Sequence, residues 1–178
     1  WLGGFLQGDW GRSFTAGNPS VRPLVLERLG NSLILAGVTL FISVPIALFL
    51  GVLTALYADT WLDNLVTLLT LSVVGLPEFV TGIVLVNVFA LRLGWFEATS
   101  LIAPSQDLGQ WVRILALPAL TASFVLIGYI TRLTRAGTLN ELGKAYVRTA
   151  RLKGLPYRTV VVRHVLRNAL MPTITVIA

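Results

Sequence analysis

The chain has 178 residues, of which 55% are hydrophobic and only 12% are charged, and it contains no cysteine and one histidine. Soluble domains carry about twice this fraction of charged residues. The lack of cysteine excludes a disulfide scaffold, and a single histidine argues against a structural zinc site. The net charge of +6 is unevenly placed, because nine of the fourteen basic residues but only one acid lie within 132–167. Composition therefore indicates a membrane protein with one strongly basic segment.

The first part of the chain, residues 1–28, mixes glycine, aromatic and polar residues, and Asn18-Pro19 predicts a turn. We expect an irregular loop on the extracytoplasmic side of a membrane. The remainder, residues 29–178, is expected to form a transmembrane domain.

The first predicted span covers about 29–57. No Asp, Glu, Lys, Arg or His occurs from Leu29 to Ala58, and about 20 such residues are enough to cross a bilayer. Small side chains recur every four residues in this span, which predicts close packing against another helix. They are Ser43, Ala47, Gly51 and Ala55.

The second predicted span covers about 65–91 and has Pro77 and Glu78 near its middle. A carboxylate at this depth costs roughly 2.5–3.5 kcal/mol on insertion scales, so it is expected to face protein, water or a cavity. Two interpretations of Glu78 stay open. Either it lines a polar path, or Pro77 breaks the helix and Glu78 caps the half that restarts. A third span is predicted at about 112–131.

The basic segment that follows, 132–160, is predicted to be cytoplasmic. Between Thr138 and Lys153, apolar or small residues recur with helical spacing and charged residues fall on the other side, so we expect a short amphipathic helix. Gly154-Leu155-Pro156 then ends this helix and begins another, because glycine is typical of C-caps and proline of the first turn. From about 160 the chain becomes apolar again, which predicts the beginning of a fourth span.

The sidedness of the chain follows from its basic residues, because Lys and Arg near span ends favour the cytoplasm. The 132–167 segment outweighs every other loop and is placed inside, together with the 58–64 link. The 92–111 loop and the first loop then lie outside. Because the chain starts at Trp1 and ends within an apolar run, we expect a fragment of a longer protein.

The sequence contains no recognisable catalytic, cofactor-binding or metal site. The string nearest to a phosphate-binding loop, Gly143-Lys144, lacks both the upstream glycine and the following hydroxyl. No Ser/His/Asp set surrounds His164. The basic segment could bind anionic lipid, bind nucleic acid, or dock into a cytoplasmic partner. Its apolar stripe favours docking, and the lack of interleaved aromatic residues argues against nucleic acid.

Two stretches of the basic segment form a pattern, Tyr146–Leu155 (YVRTARLKGL) and Arg163–Pro172 (RHVLRNALMP). This pattern resembles the cytoplasmic loop of bacterial ABC-importer permeases, most closely the dipeptide/oligopeptide class. The general motif is Glu-Ala-Ala, three residues and Gly. Here Arg148-Thr149-Ala150 precedes Gly154, and arginine in place of glutamate is typical of the peptide class. Further stretches that resemble the family extend the likeness over nearly the whole chain: GDWGRS at 8–13, RLGNSL at 28–33, LPEF at 76–79, LPAL at 117–120 and RLTR at 132–135.

The resemblance implies an all-α polytopic membrane protein with the type I ABC importer permease fold, here without its first helix and its C-terminal helices. It implies a location in the bacterial inner membrane, in contact with lipid. The implied partners are a second permease subunit, identical or related, two cytoplasmic ATPase subunits and an extracytoplasmic solute-binding protein. ATP would be used by the ATPase, so this chain would be no enzyme and would bind no cofactor, metal or nucleic acid.

The resemblance also assigns a coupling helix, here 139–154, which would sit in a groove of the ATPase and pass its movement to the spans. The residues expected to serve this coupling are Glu141, Tyr146, Arg148, Thr149, Ala150, Lys153 and Gly154. Four polar residues within the predicted spans are candidates for the translocation path, with packing or capping as the alternative for each. These are Asn31, Glu78, Asn87 and Tyr129.

The predicted function is ATP-driven import of dipeptides or oligopeptides. Nickel chelates, glutathione and some sugars remain open as substrates of the same class. The alternative is a non-transporting membrane anchor whose basic loop recruits anionic lipid or a signalling partner. Proton-driven secondary transport through Glu78 has little support, since this span offers no polar partner for the carboxylate.

Overall fold

The computed structural model describes residues 2–15, 17–100 and 107–177, and in these ranges the only β-structure is an isolated bridge between Arg12 and Ser20. The all-α prediction is confirmed. Two helices continue into π-helical segments. The helix that starts at Glu78 continues into Val86–Arg92, and the helix that starts at Tyr157 continues into Val160–Val165. The α-helices are α1 (Leu2–Leu6), α2 (Val21–Leu56), α3 (Trp61–Gly75), α4 (Glu78–Leu85), α5 (Leu108–Leu142), α6 (Ala145–Leu152), α7 (Tyr157–Thr159), α8 (Leu166–Ala169) and α9 (Met171–Ile177).

Helices α2 and α5 form the centre of the structure, and both are long and apolar enough to cross a membrane. Their 36 and 35 residues correspond to lengths of roughly 50 Å, well beyond a hydrocarbon core of about 30 Å. The two helices run in the same direction. Near their beginnings Ile34 and Val112 line one groove, and further along the Thr131 hydroxyl donates to the Ala47 carbonyl at 3.4 Å.

The predicted stripe of small residues on α2 is confirmed as a packing surface. All four of its members are buried, with Ser43 and Ala47 fully inaccessible. At Gly51 the contact with α5 is so close that an added Cβ would lie 2.5 Å from the Thr134 Cβ. Small side chains therefore let the two helix backbones approach each other, as expected for helices in lipid.

The second predicted span is not one helix, because α3 and the helix from Glu78 to Arg92 meet at an angle of 100°. Pro77 lacks an amide hydrogen and Leu76 before it is extended, with φ −85° and ψ 137°, as is typical of a residue that precedes proline. Of the two interpretations left open for this segment, the break at Pro77 is present, but Glu78 does not cap the half that restarts. Pro77 itself holds the N-cap position and Glu78 is the first residue of α4, where the helix dipole favours a negative charge.

Helix α3 lies antiparallel to α5 and packs against it. The Cβ that Gly128 lacks would lie 2.6 Å from the Val74 side chain and 3.1 Å from the Thr70 carbonyl. Further along, Asp63 at the start of α3 contacts Arg135 near the end of α5. The two long helices and α3 thus alternate in direction, as three successive spans do.

Two boundaries differ from the predictions. α2 begins at Val21 rather than near 29, so residues 1–28 are not all loop, and α5 extends over Leu108–Leu142 rather than 112–131. Pro23 is tolerated in α2 because the first turn of a helix has unpaired amides anyway. Arg132 is exposed on the side of α5, so the helix continues through residues whose charge suggested its end.

The last part of the described chain is helical from Tyr157, slightly before the predicted 160, and is interrupted at Leu170. It packs against α5, where the Thr134 and Thr173 hydroxyls lie 3.3 Å apart. We call residues 143–169, which follow α5 and include α6, the basic end of the structure.

Candidate functional site

The basic end begins where α5 stops. The predicted helix from 139 to about 153 is in fact two helices, because α5 ends at Leu142 and α6 starts at Ala145. Gly143 is a poor helix former, and Lys144 adopts extended backbone angles of −76° and 151° as the N-cap of α6. The junction is held by the Lys144 amide, which donates to the Glu141 carbonyl at 3.1 Å.

Glu141 lies at this junction with only 6% of its surface exposed. Its carboxylate accepts the Tyr146 hydroxyl at 2.6 Å and forms an ion pair with the Lys144 ammonium. Burial and the hydrogen bond to Glu141 raise the pKa of the Tyr146 phenol, and the hydrogen bond to Glu141 raises the pKa of the Lys144 ammonium. The phenol and the ammonium therefore keep the protons that they donate to the Glu141 carboxylate.

The inner face of α6 packs against the helical stretch that follows it. Val147 is 4% exposed and forms an apolar cluster with Val160, Val165 and Ala169, each 1% exposed or less. Leu142, Tyr146 and Ala150 pack against this cluster from the side. The predicted apolar stripe is therefore covered within the same chain, so the stripe itself is not a docking surface for a cytoplasmic partner, contrary to the prediction.

The outer face of α6 is exposed and basic. Arg148, Thr149 and Lys153 are exposed, and the Thr149 hydroxyl bonds back to the Ala145 carbonyl at 3.1 Å. Arg151 lies over the Tyr157 ring, 5.6 Å from its centre. An open groove of about 460 Å³ lies between the end of α5 and α6. It is lined by Leu142, Gly143, Lys144, Val147, Arg148, Arg151 and Leu152.

Gly154 ends α6 in the manner predicted. Its φ of +79° is left-handed, its amide donates to the Arg151 carbonyl at 3.0 Å, and the Leu155 amide donates to the Ala150 carbonyl at 3.3 Å. This is the pair of bonds that defines a Schellman C-cap. The left-handed backbone favours glycine here, because other L-residues are strained in it.

The structure divides the predicted coupling residues into two groups. One group is exposed on the outer face of α6 or at its end, namely Arg148, Thr149, Lys153 and Gly154. The other group is buried or half-buried, namely Glu141, Tyr146 and Ala150. Only the first group is available to a partner, whereas the second holds α6 in place.

One contact near the basic end, between α3 and α5, was not anticipated from the sequence. Arg135 donates two hydrogen bonds to the Asp63 carboxylate, at 2.7 and 2.6 Å, and the Asp63 side chain is only 3% exposed. The Asp59 amide donates to the same carboxylate at 3.0 Å. The topology prediction places both residues on the cytoplasmic side. This shared side is the signal in the sequence that allows the contact.

The four candidates for the translocation path do not line one common cavity among those that the described residues form. Glu78 lines a cavity of about 310 Å³ to which Glu97 also contributes, whereas Asn87 lines a different, mainly apolar groove. Asn31 is half-buried on α2, and Tyr129 is 57% exposed on α5. In the described part of the chain, no three His, Asp or Glu side chains lie close enough to hold a metal ion.

Comparison with known proteins gives a consistent set of relatives. A putative peptide permease protein of Brucella suis biovar 1 is 36% identical over 179 residues, covering 99% of this chain and 56% of the relative. The oligopeptide transport system permease protein AppB of Bacillus subtilis is 34% identical over 178 residues with the same two coverages. A probable peptide ABC transporter permease protein of Sinorhizobium fredii is 34% identical over 179 residues, again with the same coverages. The chain therefore spans about half the length of the curated relatives it matches.

Most of the chain also matches one family. Residues 47–178, which include α3 to α9 and most of the α2 packing stripe, match the family described as binding-protein-dependent transport system inner membrane component. This chain belongs to that family of inner membrane components.

Proposed function

We propose that this chain is part of the permease subunit of an ATP-driven importer, and that α6 couples it to a cytoplasmic ATPase. The observation that carries the proposal is the two-faced packing of α6. Its inner face is fixed through Val147, which is 4% exposed, while Arg148 and Lys153 on the outer face are left exposed. When a partner displaces a short helix that is held in this way, the displacement is transmitted to α5.

The assembly that we propose contains a second permease subunit, two ATPase subunits on the cytoplasmic side and a solute-binding protein on the other side. The family description, which names binding-protein-dependent transport, supports the solute-binding protein in this assembly. ATP would be bound and hydrolysed by the ATPase subunits. This chain would contribute membrane-spanning helices, part of the translocation path and the contact through α6.

The proposed substrates are peptides. Support comes from the relatives, whose names describe a peptide permease and an oligopeptide transport system permease. Those names also favour transport over the alternative of a membrane anchor that recruits lipid or a signalling partner. Peptides carry a cationic amino end, and Glu78 and Glu97, which line one cavity, are the residues on which a path through this part of the chain would be tested first.

The test of coupling uses the full-length permease expressed together with candidate ATPase subunits from the same organism. Arg148→Glu reverses one exposed charge on α6, and Arg158→Glu makes the same change at an exposed position on α7. Close charge pairs at interfaces contribute strongly to affinity, so we expect Arg148→Glu to lower the ATPase recovered per permease by about tenfold or more. Arg158→Glu should leave recovery near that of the unmodified protein.

Two results would contradict the proposal. Unchanged recovery with Arg148→Glu would show that the outer face of α6 does not contact the ATPase. Equal losses of recovered ATPase with both variants would indicate that recovery depends on the total basic charge and not on a specific contact. A general dependence on basic charge is what the alternative, an anchor that recruits anionic lipid, predicts. Uptake of a labelled tripeptide into cells that carry or lack the permease tests the transport function itself.

A further inference from the structure

The connection between α5 and α6 has the geometry of a hinge. Gly143 and Lys144 separate the two helices, and a Cβ at Gly143 would meet nothing nearer than 3.6 Å. The backbone here is bridged by the Lys144 amide, whose bond to the Glu141 carbonyl is 3.1 Å long. Backbone alone would leave α6 free to swing relative to α5.

Glu141 closes this hinge from one side. The carboxylate belongs to the last turn of α5, whereas both of its donors, the Lys144 ammonium and the Tyr146 hydroxyl at 2.6 Å, lie beyond the break. The acid is 6% exposed, so water competes little for its oxygens. Hydrogen bonds to an ionised group are also the stronger kind.

Tyr146 extends the connection to the stretch after α6. Its hydroxyl also lies 3.5 Å from the His164 carbonyl. Close by, the backbone of α5 is packed so tightly against α8 that a Cβ at Gly137 would lie 2.6 Å from the Ala169 carbonyl. The phenol thus connects the end of α5 with the start of α6 and lies beside the Val160–Val165 segment, while Gly137 packs α5 against α8.

We infer that Glu141 is a positioning residue that locks α6 to the end of α5 through Lys144 and Tyr146, so that the two helices and the 160–169 stretch move as one body. The lock itself concerns only this chain. Its consequence for transport rests on the proposed function, because a locked α6 passes a displacement to α5 whereas an unlocked α6 absorbs it at Gly143.

The lock is tested by measuring the distance between α5 and α6. The 178 residues contain no cysteine, so spin labels can be placed at Arg132→Cys and Leu152→Cys, two exposed positions of which Leu152 is 80% accessible. The sample is the full-length permease in lipid nanodiscs, with any cysteine outside these residues replaced by serine. Pulsed electron–electron double resonance then gives the distribution of distances between the two spin labels.

We expect one narrow distance in the unmodified chain and a second, displaced population in Glu141→Ala. Tyr146→Phe keeps the ring in the apolar cluster and removes one bond to the carboxylate, so it should increase the displaced population by roughly tenfold, the factor for loss of one such bond. Glu141→Gln, which can still accept from the phenol, should restore much of the narrow distance. Tyr57→Phe is the matched control, because Tyr57 is 55% exposed at the end of α2, away from the lock. An unchanged narrow distance in both Glu141→Ala and Tyr146→Phe would overturn the inference.

A second measurement connects the lock to transport. In the reconstituted complex, Tyr146→Phe should still recruit the ATPase through the outer face of α6 and yet hydrolyse severalfold more ATP per peptide imported. A residue that only stabilised the fold would reduce recovery and leave this ratio unchanged, which would overturn the positioning role. If the unmodified permease recruits no ATPase, the proposed function fails, while the distance measurement still decides whether the lock exists.

Discussion

The contact between α2 and α5 depends on the missing side chain at Gly51. A Cβ there would lie 2.5 Å from the Thr134 Cβ and 2.7 Å from the Thr131 carbonyl, and a backbone carbonyl inside a helix cannot move aside easily. Gly37 on the same helix has nothing within 4 Å of the corresponding position. Two glycines with the same local conformation therefore have opposite tolerance for alanine.

We predict that Gly51→Ala lowers the stability of the full-length permease by about 1–3 kcal/mol, the usual effect of overpacking a close contact. Gly37→Ala should be neutral or stabilising by up to about 1 kcal/mol, because alanine is the better helix former. Thermal unfolding followed by size-exclusion chromatography of the detergent-solubilised protein compares the two. Equal midpoints for both variants would show that the helices separate at little cost.

The ion pair between Asp63 and Arg135 is asymmetric. The Asp63 side chain is 3% exposed and that of Arg135 is 29% exposed. Removing the arginine leaves a carboxylate buried without its charge partner, whereas removing the aspartate leaves a guanidinium that can turn to water. Removing one partner of a buried ion pair lowers the free energy of unfolding by several kcal/mol, whereas breaking an exposed pair lowers it by about 1 kcal/mol or less.

We therefore predict that Arg135→Ala is more destabilising than Asp63→Ala, by about 1–2 kcal/mol given these limits. Arg132→Ala, at an exposed position three residues earlier on α5, serves as the control and should change little. The same unfolding assay measures all three. A larger loss with Asp63→Ala than with Arg135→Ala would contradict the assignment of Asp63 as the buried partner.

At the scale of helices, the C-cap of α6 gives a prediction that is independent of any partner. Gly154, just after α6, has a φ of +79°, whereas Gly143, just before α6, has a φ of −77°. A left-handed alanine costs roughly 1–2 kcal/mol, so Gly154→Ala should speed hydrogen exchange at the Gly154 and Leu155 amides by about tenfold or more. Gly143→Ala fits a right-handed conformation and should leave those amides unchanged. Exchange on the full-length permease, read by mass spectrometry, measures both, and equal protection in the two variants would exclude the capping role.

The helices also show where sequence reasoning works and where it does not. The small-residue stripe of α2, the break at Pro77 and the cap at Gly154 could be predicted because each depends on one local rule. The burial of Glu141 could not. The prediction assumed one helical period across 139–153, which puts Glu141 on the polar side, but the break at Gly143 gives α5 and α6 separate periods. The partner of Asp63 lies 72 residues away, and no local pattern indicates which arginine it meets.

On the scale of the whole molecule, α2 and α5 run in one direction, and α3, which lies between them in the sequence, runs in the opposite direction. Large apolar side chains such as Phe41 and Phe49, which are 82% and 66% exposed on α2, are left for lipid or for other parts of the permease to cover. In a soluble protein such a surface would promote aggregation. The directions of the helices agree with a topology in which α2 and α5 both run inward, and the positive-inside rule assigns the basic end to the cytoplasm.

This orientation can be tested because the 178 residues contain no cysteine. Phe14 in the first loop is fully exposed, and Leu152 at the end of α6 is 80% exposed. We predict that a membrane-impermeant maleimide labels Phe14→Cys on intact spheroplasts and Leu152→Cys only in inverted membrane vesicles. Labelling from the same side at both positions would require an even number of crossings between them, which is incompatible with three spans formed by α2, by the bent pair α3 and α4, and by α5. Labelling with the two sides exchanged would keep the fold and place the basic end outside, and α6 could then not contact a cytoplasmic ATPase.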